Sequence, residues 1–209
     1  MQVTTRQTTM MTPTALRSVP LNVVLFGPPG AGKGTQADKF AARHGIPKIS
    51  TGEILRRAVR DGTELGGLVG ETLQRGALVG DDLVIPVVRE RLAQPDTANG
   101  FVLDGFPRTI EQAVELDSLM TGRGPVIVVA LAVHTDEVIR RLSTRGREDD
   151  DARVIRDRLE IYTNATEPVL EYYRRRKRVT FLDGNRPLQK VTDELEAAVA
   201  RAIEREHPA

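Results

Sequence analysis

The segment VVLFGPPGAGKGTQ, Val23 to Gln36, leaves this chain few ways to fold. A short apolar run, a turn of glycine and proline and a helix-compatible stretch opening on a lysine make up the strand–loop–helix setting of the phosphate-binding pattern G-x-x-x-x-G-K-[ST]. Gly27, Gly32 and Lys33 occupy their places, but the hydroxyl position after the lysine holds Gly34, and Thr35 comes one place late. Glycines there let backbone N–H groups converge on phosphate oxygens, the helix N-terminus adds positive partial charge, and Lys33 supplies a mobile cation. A strand feeding such a loop belongs in a parallel sheet covered by helices on both faces.

The remaining apolar runs follow that plan. LNVVLF from Leu21, FVLD from Phe101, PVIVVALAV from Pro125 and VTFLD from Val179 read as buried strands, with PKIS from Pro47 a weaker fifth. Helical stretches alternate with them, among them Gly34 to His44, Asp81 to Ala93 and Thr135 to Leu142. The expected class is therefore α/β, a five-stranded parallel sheet flanked by helices. A longer helix is expected from about Asp151 to Arg175, where Ile155, Leu159, Tyr162, Thr166, Val169 and Tyr173 recur in steps of four and three. Pro168 should kink it. The run RRRKR, Arg174 to Arg178, fits a solvated helix end, where cations suit the dipole.

Two segments break the alternation: Thr51 to Val79, helical and punctuated by glycine, and TRGREDDDAR, a dense cluster of alternating charge. Both read as insertions at one edge of the sheet, where functional loops gather. The first twenty residues, threonine-rich and without an acid, are expected to be a disordered or organelle-targeting extension. A length of 209 residues suits one domain, and a net charge of +1 gives no reason to expect a nucleic-acid or membrane surface. The absence of cysteine excludes disulfides and cysteine-bound zinc and fits a reducing cytosol. The longest apolar run, Val126 to Val133, is too short to span a bilayer.

Several polar residues outside the loop bear on chemistry. Asp104 ends an apolar strand, the usual place for the acidic partner of a phosphate-bound magnesium. Without a hydroxyl at position 34 that ion should keep more of its water, and Asp104 would hold it through those waters. Arg108 leaves the turn GFPR with a planar, permanent charge suited to phosphate, and Arg56 follows Thr51 near a helix start. Ser50 with Glu53, and Thr109 with Gln112, also fit a helix capping box, which would account for Thr51 and Gln112 without function. In the charged insertion, Arg145, Arg147, Asp149, Asp150 and Arg158 could face phosphate, with the acids orienting the arginines. They could equally form a solvated loop of weak ion pairs.

Taken together and in order, GPPGAGKGTQ, STGEILR, LVGDDLV, GFVLDGFPRTIEQ, TRGREDD and RDRLEIYTNATEPVLEYY resemble adenylate kinase, from about Asn22 to the C-terminus. A glycine after the loop lysine is usual among nucleoside monophosphate kinases. The resemblance implies a P-loop NTPase core over residues 21–49, 80–144 and 155–209, a helical monophosphate-binding arm over 50–79 and a short lid over 145–154. Gly30, Ala31, Gly32, Lys33, Gly34 and Thr35 would bind the ATP phosphates, Arg145 would contact ATP, and Arg141 would stack on its base. Arg186 would present a backbone carbonyl to that base. Thr51, Arg56, the Ala77, Leu78 and Val79 backbone, Gly105, Phe106, Pro107, Arg108 and Gln112 would hold AMP, with Gln112 reading the adenine edge. Arg147 and Arg158 would span the phosphates of both nucleotides. The implied catalytic set is Lys33, Asp104, Arg108, Arg145, Arg147 and Arg158, with magnesium and no structural zinc, in a cytoplasmic monomer that takes ATP and AMP to two ADP. A kinase for UMP or CMP, a sensing module that binds without catalysis and a hydrolysing switch are the alternatives.

Overall fold

Successive side chains of β1 (Leu21–Phe26) point to opposite faces of the sheet, and both faces are apolar. Val24 and Phe26 enter one core with Leu103, Val128 and Tyr173, while Val23 and Leu25 enter a second with Phe40, Val102 and Leu195. Every residue of β1 is buried, the condition of a central strand covered on both sides. In the computed structural model, which describes residues 19–146, 151–176 and 178–206, the sheet order is β2-β3-β1-β4-β5. The other strands are β2 (Lys48–Ser50), β3 (Gly100–Asp104), β4 (Val126–Ala132) and β5 (Val179–Asp183), and all pairings are parallel. The sequence expectations for residues 1–18 and for Arg147, Asp149 and Asp150 lie outside the described residues.

Helices α1 (Lys33–His44) and α9 (Leu188–Glu206) cover one face through Phe40, Leu195 and Val199. The other face is covered by α4 (Asp81–Leu92), α5 (Ile110–Leu119) and α8 (Glu167–Arg175), through Val88, Leu116 and Tyr173. Phe40 is 1% exposed, a burial worth roughly 2–3 kcal/mol. The connections leaving the neighbouring strands β1 and β3 run in opposite directions along the sheet. Ligand crevices open at such a point, outside the carboxyl ends of the strands.

The inserted segment after β2 is a helical pair, α2 (Thr51–Arg60) and α3 (Glu64–Gln74). Their backbones meet at Gly66, where a Cβ would lie 2.1 Å from the carbonyl oxygen of Ala58. Gly66→Ala must therefore push the helices apart. The expected cost is about 1–3 kcal/mol, read as a fall of several degrees in Tm.

Three sequence expectations need correction. The helix expected over Asp151 to Arg175 is α7 (Ala152–Ile161), a π-helical turn (Tyr162–Thr166) and α8, so the interruption precedes Pro168. Pro168 cannot donate to the carbonyl one turn back and its ring crowds that turn, so the widened turn absorbs the conflict and Pro168 sits in the first turn of α8. Strand β5 is buried only at Leu182: it is an edge strand whose Phe181 is 55% exposed. The Ser50–Glu53 capping box does not form, because Ser50 makes no side-chain cap bond and Glu53 instead accepts from Lys48 Nζ at 2.8 Å. Thr109 does cap α5, accepting from the Gln112 N–H at 3.1 Å.

Candidate active site

Gly27 opens the glycine loop directly after β1 with φ +143°, and a Cβ there would lie 2.8 Å from the Leu131 carbonyl oxygen. Only glycine lets the chain turn this close to β4. Gly32, at φ +94°, caps α1 without a side-chain bond, so the first N–H groups of α1 are offered to a ligand's oxygens. Lys33 folds back over the loop, its Nζ donating to the carbonyls of Gly27 at 2.8 Å and Pro28 at 3.0 Å. Burial pulls its pKa from the usual lysine range to about 8; Asp104 opposes the shift, and Arg108, Arg158 and Arg145 reinforce it.

Asp104 ends β3 opposite Leu25 of β1. A Cβ placed on Gly34 would lie 3.5 Å from its Oδ2, so position 34 faces this carboxylate. The side chain of Arg108 turns back, with Nε donating to the Gly105 carbonyl at 2.9 Å, and Thr51 Oγ1 donates to the same oxygen at 2.9 Å. Burial lowers the pKa of Arg108, but a guanidinium in this state still keeps its charge at ordinary pH. Arg141 is held by Glu137 at 2.6 Å and by the Gly184 carbonyl at 2.9 Å, and Arg140 and Arg141 hold the Glu137 carboxyl down at about 2.

These groups surround one cleft of about 410 Å³ at the carboxyl ends of β1 and β3. Gly30, Gly32, Lys33, Gly34, Thr35, Arg141 and Arg145 line it on the loop side. Arg56, Leu78, Gly105, Phe106, Pro107, Arg108 and Arg158 line it on the arm side, with Asp104 between. A smaller cavity of about 60 Å³ lies against α2 and α4, bordered by Thr51, Ala77, Val79 and Gln112. Arg56, Leu78, Arg108 and Arg158 border both. Ala31 packs into the core beneath the loop rather than lining the cleft. The side chain of Arg186 borders neither cavity and pairs with Asp183 and Glu194. Arg147 lies outside the described residues.

Sequence reasoning missed Lys48, which lines the cleft and bridges Asp38 at 2.9 Å and Glu53 at 2.8 Å. It also missed Tyr162, whose burial in the cleft wall pushes its pKa up to about 12. Neither carries a local motif. Tyr162 was read only as one more apolar step on a helix face.

A family model described as adenylate kinase matches residues 25–178, which includes the loop, the arm and every cationic wall of the cleft. The chain belongs to the adenylate kinase family. Curated relatives named adenylate kinase agree: that of Kosmotoga olearia is 39% identical over 208 residues, covering 84% of this chain and 97% of the relative. The relative from Xanthobacter autotrophicus is 42% identical over 194 residues, covering 87% of this chain and 100% of the relative. That of Mycobacterium ulcerans reaches 50% over 155 residues, 73% of this chain and 86% of the relative.

Proposed function

We infer that this protein transfers the terminal phosphoryl group of ATP to AMP, giving two ADP, and runs the reaction in both directions. The observation that carries this reading is the cleft that the glycine loop, Lys33, Asp104, Arg56, Arg108 and Arg158 line together. Two walls of phosphate-binding groups, one on each side of one carboxylate, fit two nucleotides meeting end to end.

On the donor side the α1 N–H groups and Lys33 hold the ATP phosphates, and Arg145 adds charge where the β- and γ-phosphates come to rest. On the acceptor side Arg56 and Arg108 hold the AMP phosphate in line. The smaller cavity seats its base against Gln112, with Leu55, Val79 and Val84 also lining it. Arg158 borders both cavities, which suits a group that holds phosphate charge beside the seat of the acceptor nucleotide. Phosphoryl transfer needs alignment and cancellation of spreading negative charge more than covalent chemistry, and these groups supply both. The arm over 50–79 and the lid over 145–154, with Arg147, close over the nucleotides and keep water from the reacting phosphate.

The described residues contain no group of three or more ligating side chains that could hold a metal by themselves. A single carboxylate facing a glycine fits magnesium that arrives with ATP and keeps most of its water, with Asp104 holding it. Bound there, the ion would neutralise phosphate charge. One chain provides groups for both nucleotides, which supports a monomer, and soluble nucleotide substrates support a cytoplasmic setting.

The test is a discontinuous assay of ADP made from ATP, magnesium and each common monophosphate. AMP is expected to be phosphorylated at least about tenfold faster than UMP, CMP or GMP. Chelating magnesium with EDTA should lower the rate about a hundredfold or more. ATP consumed at the same rate without any monophosphate would instead mark a hydrolase.

A further inference from the structure

Gln112 is 2% exposed and borders the smaller cavity beside Leu55, Val79 and Val84. Its amide is fixed from two directions. Oε1 accepts from the backbone N–H of Arg108 at 2.7 Å, and Nε2 donates to Asp81 Oδ1 at 2.7 Å. The second oxygen of Asp81 accepts from the Thr109 hydroxyl at 2.7 Å, and that hydroxyl accepts from the Gln112 backbone N–H.

A backbone N–H can only donate and a carboxylate can only accept. These two neighbours therefore leave the Gln112 amide one orientation, oxygen toward Arg108 and nitrogen toward Asp81. After both bonds are made, one amide hydrogen and one oxygen lone pair remain for the occupant of the cavity. A side chain in that state presents an acceptor beside a donor, in a fixed order.

We propose that Asp81 is a specificity-determining positioning residue, which locks the Gln112 amide so that the cavity accepts a purine edge presenting an amino donor beside a ring-nitrogen acceptor. Adenine has that edge in its 6-amino group and N1. Hypoxanthine presents the reverse order, a 6-oxo acceptor beside an N1–H donor, and is refused. An amide able to turn over would serve both bases equally. The proposal rests on the reading of this cavity as the seat of the acceptor base. Asp81 also opens α4, where a carboxylate favours the helix N-terminus, but Asp82 supplies the same charge in that turn.

The experiment compares kcat/KM for AMP and for IMP, with saturating ATP and magnesium, in the natural protein, Asp81→Ala and Asp81→Asn. Alanine removes the acceptor, so the preference for AMP over IMP should fall about tenfold, chiefly through KM. Asparagine can still turn its oxygen to Gln112, and the fall should be about threefold. If both variants lose AMP and IMP activity in equal proportion, Asp81 merely holds the helix and the proposal is wrong. Should the alanine variant fail to fold, the isosteric asparagine variant decides by the same ratio. A natural protein that forms no ADP from AMP overturns the functional reading and this proposal together. A working natural protein whose ratio does not move in the variants overturns the proposal alone.

Discussion

Arg108→Ala is expected to lower kcat about a thousandfold or more, in the range seen when a charge-stabilising arginine is lost from phosphoryl transfer. The guanidinium lies in the wall common to both cavities, lodged among groups that deprive it of water. Its position comes from the turn Gly105 to Arg108 and from its bond to the Gly105 carbonyl. The backbone N–H of Arg108 that holds Gln112 survives the substitution, so the acceptor base should keep its seat. The fold should not suffer. A buried cation near Lys33 lowers that lysine's pKa, so removing it relieves repulsion in the empty cleft, and Tm should stay level or rise. Arg89→Ala, which breaks an exposed pair with Glu115, is the control expected to leave turnover unchanged. Turnover of Arg108→Ala within a factor of ten of the natural rate would remove Arg108 from the reaction.

The second large effect concerns Lys33 and pH. Burial in the loop holds its ammonium at a pKa of about 8, whereas an unfolded lysine titrates near 10.5. Between those values the unfolded chain holds a proton that the folded chain has released, so this group makes stability rise with pH across that window. Below pH 8 both states are protonated, and the cost of the crowded charge is fully present. Nucleotide reverses the balance, because phosphate oxygens favour the charged amine and raise its pKa. ATP binding at pH 9 should therefore take up close to one proton, and at pH 6.5 almost none from this group. Titration calorimetry in buffers of differing ionisation enthalpy reads that number directly. Lys33→Met should abolish the uptake and lower kcat about a thousandfold. Uptake that persists in the methionine variant would assign the proton elsewhere.

The parts of the molecule legible in the sequence are those set by neighbours along the chain. The glycine loop needs only a strand before it and a helix after it, and both are encoded within fourteen residues, Val23 to Gln36. Asp104 and Arg108 were legible for the same reason, a carboxylate at a strand end and an arginine at the exit of a tight turn. Gln112 could be read as a capping partner or as a reader of the base, and its side chain bonds the Arg108 N–H and Asp81 rather than the Thr109 N–H. Its amide borders the cavity while its backbone N–H is held by Thr109. Asp81 was not legible, because its partner lies 31 positions away and is brought to it only when α4 packs beside α5. Lys48 lies within the weak strand candidate PKIS, where no neighbouring residue marks it as part of a site. The exposed edge at β5 was missed because a short, mostly apolar run reads the same at the rim of a sheet as at its centre. The widened turn before Pro168 was missed because steps of three and four tolerate one irregular turn without losing their face.

The place of β1 in the middle of the sheet has a consequence for how the chain is born. Among the described strands, the first to leave the ribosome is the one that needs a neighbour on each side, and both neighbours, β3 and β4, are made much later. Residue 104 closes β3, and at 5–20 residues per second it follows residue 26 by roughly 4–16 s. Through that interval a strand apolar at every position but Asn22 has two bare edges, the kind that recruits other nascent chains. Only after β4 has emerged can the cleft exist at all, so synthesis passes its most aggregation-prone stage before there is any ligand-binding pocket to stabilise it.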